Sequence, residues 1–358
     1  MLNDLYDIER GLKAHGAAIV AQHPDVKDMA KGGAILVRLD ARGGVDDIEF
    51  VPDSGNGALW TLRDGQHNGF PGLKTGQPGN PKSAKPGKGL LTLDGPALAA
   101  HEKIWADDRT PAARRREALR LIAEADLDAE AAAAWPNAGH RKRIAERLAQ
   151  LGSLRGDRKT AAVPAAFERF LLALERQPPF LADLLHWLKG KLQSGGDDWI
   201  EPARNALIGP AAIYGDVAED DFPRPVRDLR QVAAVSAALA ASSASPDGEG
   251  SGTCALTGAA THLHAGNFPQ PNLPGLGQTY LFSRNSDIPS LTRYGKTADD
   301  SFAIGGDLLG RLSGAISFLT RPAERDKIWR LIPAESGDKP DLMIAAGCFA
   351  TCSLTRTR

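Results

Sequence analysis

The 358-residue chain is expected to be an α+β protein, and three observations carry that expectation. Two short apolar runs flank a glycine-containing turn near the start, which reads as a hairpin in a mixed N-terminal domain. A long Ala- and Leu-rich middle repeats its apolar residues at helical spacing. A third region is rich in glycine and proline and mixed in character, and it ends on another helical pattern. The length exceeds the usual span of one compact core, so several domains are expected.

In chain order, Leu5, Ile8, Leu12, Ile19 and Val20 recur at helical spacing. They predict an amphipathic helix through the first two dozen residues, closed before Pro24. The runs Ala34–Leu39 and Val45–Val51 flank Asp40-Ala-Arg-Gly-Gly44, the signature of a hairpin, and residues 58–62 offer a third strand. Residues 65–93 contain no Asp or Glu, but hold Lys74, Lys82, Lys85 and Lys88 among seven glycines and four prolines. Glycine and proline at that density predict a loop with many free backbone N–H groups. These elements make up an expected N-terminal domain, 1–95.

Residues 96–240 form the expected helical region. Its clearest stripes are Val163, Phe167, Phe170, Leu171 and Leu174, then Leu181, Leu184, Leu185, Leu188 and Leu192 after Pro178-Pro179, which predict an antiparallel helix pair. Arg114-Arg-Arg116 and Arg141-Lys-Arg143 fall on Ala-rich helices, among enough acids that no continuous basic face forms. The Ser-, Gly- and Asp-containing stretch 241–252 reads as a linker. The third region, 253–358, closes on a helix through Leu308, Leu312, Ile316 and Leu319.

Hydrophobic residues make up 42% of the chain and charged residues 24%, ordinary values for a soluble globular protein. The net charge of −1 excludes a uniformly basic nucleic-acid binder, so any electrostatic footprint is local. Only Cys254, Cys348 and Cys352 are present, which makes no disulfide framework and fits a reducing, cytoplasmic compartment. The first residues carry no signal-peptide pattern, and no membrane span is expected.

Cys254, His262 and His264 with Cys348 and Cys352 lack the tight ligand pairs of a structural zinc site, and no metal or cofactor is expected. Cys254 with His262 or His264 as base and Asp287 as orienter has the residue types of a Cys/His hydrolase. That is the rival reading, together with a scaffold that binds only protein. No Walker-type or Gly-x-Gly-x-x-Gly phosphate loop occurs. Two readings remain on composition: a solvated surface loop, or contact with a polymer of phosphates, with Lys74, Lys82, Lys85 and Lys88 on the backbone and Gln66, His67 and Asn68 offering donors and acceptors to base edges.

The third region reads Cys254-Ala-Leu-Thr257-Gly258, then Asn267-Phe-Pro-Gln-Pro-Asn-Leu-Pro-Gly-Leu-Gly277, Leu281-Phe-Ser-Arg-Asn285 and Arg293-Tyr-Gly-Lys296. In this order and spacing it resembles the large subunit of type I CRISPR surveillance complexes (Cascade), nearest in pattern to that of type I-C. It departs from that pattern at Arg284, where family members usually carry Phe. The family also continues into a C-terminal helical bundle, so the resemblance implies a truncated, split or divergent member. It further implies a non-catalytic subunit that reads the protospacer-adjacent motif in target double-stranded DNA. Its partners would be guide RNA, other Cascade subunits and a recruited helicase-nuclease that does the cutting. On that reading Gln66, Asn68, Lys74, Lys82, Lys85 and Lys88 contact DNA. Arg284, Asn285, Arg293, Tyr294 and Lys296 contact RNA or a neighbouring subunit.

Overall fold

The computed structural model describes residues 2–28, 34–52, 59–62, 72–75, 95–107, 109–123, 138–176, 179–194, 196–208, 211–217, 222, 224–243, 251–264, 268–279, 295, 302–333 and 341–344. Helix α1 (Leu2–Ala14) and strand β1 (Val26–Asp28) come first, followed by β2 (Ala34–Leu39), β3 (Val45–Val51), β4 (Trp60–Leu62) and β5 (Gly72–Thr75). Helices α2 (Gly95–Ala106), α3 (Ala112–Ala123), α4 (Ala138–Gln150), α5 (Ala162–Glu175), α6 (Pro179–Ser194) and α7 (Ile200–Ile208) precede strand β6 (Ala211–Val217). Then come α8 (Gln231–Ser243), the short strands β7 (Ser251–Thr253), β8 (Ala260–His262), β9 (Asn272–Leu273) and β10 (Gly277–Gln278), and helix α9 (Gly306–Leu319). The hairpin of β11 (Trp329–Ile332) and β12 (Asp341–Ile344) is last. The protein is α+β. Among the described residues no helix is long and apolar enough to cross a membrane.

The chain divides into two compact units, residues 28–231 and residues 1–27 with 232–358. That division follows other lines than the expected cuts near residues 95 and 240. The first helix belongs with the last third of the chain. The expected linker is partly structured too, since α8 runs to Ser243 and β7 begins at Ser251.

Unit 28–231 is built on a four-stranded sheet of order β3-β2-β6-β5. β2 and β3 form the expected antiparallel hairpin, with a bulge between Arg38 and Leu39. Its turn is held by Asp40, whose Oδ1 accepts from the backbone N–H groups of Arg42 (2.8 Å) and Gly44 (2.7 Å). Gly43 adopts φ +76°, and an added Cβ would lie 2.5 Å from the Ala173 backbone nitrogen on α5. Glycine is required there twice over, by conformation and by space. Strand β4 stays outside this sheet; its Trp60 is buried and donates through Nε1 to the Pro225 carbonyl.

Two expectations are corrected here. Residues 211–217, placed in a helical region, form the central strand β6, parallel to β2 from Ala34↔Ala212 to Leu39↔Val217. The described side chains of β6, from Ile213 to Val217, are buried on both faces, Asp216 among them, so the strand lacks the alternation that would separate it from a buried helix. Within the segment read wholly as loop, residues 72–75 form β5, paired antiparallel to β6 with Lys74 opposite Ala212. Among the described residues β5 is the edge strand, with a ladder on one side only, and that tolerates flanking glycine and proline.

The two Leu-rich stripes fold as α5 and α6 and cover the sheet, α5 against β6 and β2 and α6 against β3. Phe167, Phe170, Leu174, Leu184 and Leu188 are fully buried, and Phe170 meets Phe180 edge-on at 6.2 Å. Polar ties fix the contacts. Trp187 Nε1 donates to the Val45 carbonyl (3.1 Å), Lys191 pairs with Asp47 (3.0 Å), and buried Arg169 donates to the Leu39 carbonyl (3.1 Å).

In the other unit, α1 packs against α9 around Leu2, Leu5, Leu308, Leu309 and Leu312. The expected helix through Val20 is corrected, because α1 stops at Ala14. Gly16 takes φ +74°, the Gly16 N–H bonds to the Lys13 carbonyl and the Ala17 N–H to the Leu12 carbonyl. That paired closure is the Schellman termination that a left-handed glycine allows. Residues 17–23 then run as a strap along α9. The Gln22 N–H donates to the Gly310 carbonyl at 2.9 Å, and a Cβ on Gly314 would lie 2.1 Å from the Val20 oxygen.

Gly43→Ala is expected to lower stability by more than about 2 kcal/mol, through backbone strain and collision with α5; chemical denaturation of the variant against the parent measures it. Asp216, buried on β6 with Oδ2 unpartnered, has its carboxyl pushed up to about 6, first by burial. A hydrogen bond from the Val217 N–H and the charges of Arg224, Arg227 and Arg38 pull the other way. The folded state therefore holds a proton that the unfolded state releases, so this group's contribution falls as pH rises from 3.8 to about 6. His101 acts oppositely: burial first, then the Arg204 charge, push it down to about 4, and its contribution grows as pH rises from there to 6.5. Asp216→Asn should remove the falling component alone, so thermal melts from pH 4 to 7 should rise more steeply than those of the parent.

Candidate functional site

The motif that opens the third region is a turn built around a sulfur atom. The Gly258 N–H bonds to the Cys254 carbonyl (2.8 Å), the Cys254 N–H bonds to the Ala259 carbonyl (2.9 Å), and Gly258 takes φ +70°. The thiol is 2% exposed, packed with Phe268, Ile304 and Leu308. Its pKa is nonetheless lowered. Burial is the largest influence and pushes it up, but hydrogen bonds from the Thr257 hydroxyl and the backbone N–H groups of Gly305, Leu256 and Thr257 together outweigh it. The residue types of Cys-x-x-Thr-Gly thus have separate jobs: sulfur as acceptor, hydroxyl as donor, and glycine for the left-handed corner.

Among the described residues no histidine is a hydrogen-bond partner of the thiol. His262 is exposed on β8, where it faces Ser251 across the ladder, and His264 is tilted toward Phe268 with ring centroids 6.4 Å apart. The cysteine–histidine contact of a hydrolase is not formed, and Asp287 lies outside the described residues. Among the described residues no three His, Cys, Asp or Glu side chains gather as they would to hold a metal ion.

The two histidines instead border a cleft of about 750 Å³ within this unit. One wall is α8, which presents Ala233, Ala237 and Ala240. The others are Thr261 to His264, on β8 and just after it, the start of α9 at Gly306, Asp307 and Gly310, the strap with Val20 and His23, and Asp25 just beyond the strap. The strap is anchored to α8 by the His23 N–H, which donates to Ser236 Oγ at 3.0 Å. His23 Nδ1 accepts the Asp25 N–H (3.2 Å), which places its ring proton on Nε2. Arg311 ties α9 to α1, reaching both buried Glu9 (3.0 Å) and Asp307 (2.5 Å).

Of the residues singled out in the sequence for nucleic-acid contact, Gln66, Asn68, Lys82, Lys85, Lys88, Arg284, Asn285, Arg293, Tyr294 and Lys296 lie outside the described residues, as do His67, Cys348 and Cys352. Lys74 is placed by its backbone on β5. Gly295, between Tyr294 and Lys296, is exposed with φ +71°. The cleft itself was not foreseen. Its sequence signal is the spacing Gly306, Gly310, Gly314, which lays a glycine stripe along α9 where the strap crosses. No protein-family profile and no curated protein matches the chain.

Gly314→Ala should push the strap off α9 and lower the melting temperature, because a methyl group cannot share space with the Val20 carbonyl. Glu9→Ala should cost about 2 kcal/mol by removing the partner that holds the Arg311 guanidinium against α1, read by denaturant titration.

Proposed function

We propose that the chain is a non-catalytic, nucleic-acid-binding subunit of a CRISPR RNA-guided surveillance complex, of the Cascade large-subunit kind. The observation that carries this reading is the ordered series of motifs from Cys254 to Lys296, in the spacing of that family. Two features support it. The Cys254 sulfur is buried and accepts hydrogen bonds within its own turn, which fits a structural use. The acid-free lysine segment is tied at residues 72–75 to the ladder of β6.

In this role base pairing of guide to target reads the sequence, and the protein reads the adjacent motif and the backbone. Lys74, Lys82, Lys85 and Lys88 supply phosphate contacts, and Gln66 and Asn68 reach a groove edge. Arg284, Asn285, Arg293, Tyr294 and Lys296 meet guide RNA or a neighbouring subunit, and cleavage falls to a recruited helicase-nuclease.

Expression with the neighbouring genes should co-purify a guide RNA of uniform length, and preparations free of RNA would refute the reading. Replacing Lys82, Lys85 and Lys88 together by Ala should weaken duplex binding by the assembled complex. The slope of log K against log salt should become shallower by about 2 to 3, one released counterion fewer for each lost phosphate contact.

A further inference from the structure

We propose that the cleft bounded by α8, β8 and the start of α9 binds one unpaired nucleobase bearing an exocyclic amine: adenine, cytosine or guanine. The inference rests on the nucleic-acid reading for the supply of the base, and on the cleft alone for its chemistry. The volume of about 750 Å³ falls within the range of small-molecule sites, roughly 300 to 1,000 Å³, and admits a base with its sugar.

The walls favour a planar ring. Ala233, Ala237 and Ala240 lie along one face of α8 and present methyl groups, and Ser236 between them has its hydroxyl bonded by the His23 N–H, so that side is low and mostly apolar. Val20, 55% exposed, and Leu263 supply further apolar surface. A base buries its faces against such walls and needs hydrogen-bond partners only at its edge.

The polar lining favours an edge that donates. Asp25 and Asp307 bring two carboxylates to the lining, groups that only accept, and Asp307 already takes one bond from Arg311. Thr261 and the histidine rings add groups that either donate or accept. An exocyclic amine meets a carboxylate as donor to acceptor. Uracil and thymine offer one ring N–H flanked by two carbonyl oxygens, so a carboxylate that takes it also faces acceptors, whereas an exocyclic amine has two N–H groups to give. The carboxylates also disfavour a phosphate inside the cleft, so the sugar–phosphate is directed to its mouth.

The test uses the full chain and fluorescence anisotropy with short single-stranded oligonucleotides of A, C or U, and with AMP, CMP and UMP as competitors. A and C strands should bind about tenfold or more tightly than U. Equal potency of AMP and the A strand assigns the site to a free nucleotide, and a much tighter strand assigns it to a polymer. Ala237→Trp fills the cleft from an exposed helix position and should lose about tenfold in affinity for A and C strands while melting as the parent does. Asp25→Asn should narrow the preference over U. Equal binding of U and A by the parent, or unchanged binding by a folded Ala237→Trp variant, overturns the proposal. Guide RNA that co-purifies without any base preference removes the cleft and keeps the subunit reading. Base preference without co-purifying RNA does the reverse.

Discussion

Unit 28–231 depends on the parallel pairing of β2 with β6. The two strands come from opposite ends of the unit, and everything between them is the crossover that parallel pairing demands. Once joined, they create a surface that α5 covers, and they offer β6 an outer edge to which β5 adds. Because both strands are buried, their few polar groups matter. Asp216 enters this interior with one oxygen unpartnered and retains a proton well into the mildly acidic range. Arg169 caps the end of β2 from α5.

The second unit solves a different problem, how to hold glycine- and proline-rich chain in one shape. Its answer is to pair α1 with α9 and to hang the turns on that pair. The strap after α1 lies on the α9 glycines, and the Cys254 turn receives an N–H from Gly305, one residue before α9 starts. The cleft is a consequence of this arrangement. Small residues on α8 leave space beside the strap, and the histidines of β8 and the strap reach its rim.

Much of the fold was legible because local rules sufficed. The β2–β3 hairpin follows from Asp40 and Gly43, whose turn chemistry is contained in five residues. Helices α5, α6 and α9 follow from apolar residues at helical spacing, and their stripes are the buried faces. β6 was not legible, since a strand buried on both faces carries no alternation and lay within helical surroundings. Gly209-Pro210 just before it was the available sign. The end of α1 was missed because Ile19 and Val20 continue the apolar rhythm past Gly16, although they belong to the strap.

For the site, the sequence alone determined which residue types stand at which spacing: the sulfur, hydroxyl and glycine of Cys254-x-x-Thr-Gly, and the lysines of an acid-free segment. These are local properties, set by side chains a few residues apart. Only the tertiary structure decided that the Cys254 thiol is enclosed with backbone donors rather than with a histidine. It also decided that His23, on the strap, and His262 and His264, far along the chain, border one cleft. Such meetings depend on long-range packing of α8 and α9 with the strap, and no spacing along the chain encodes that distance.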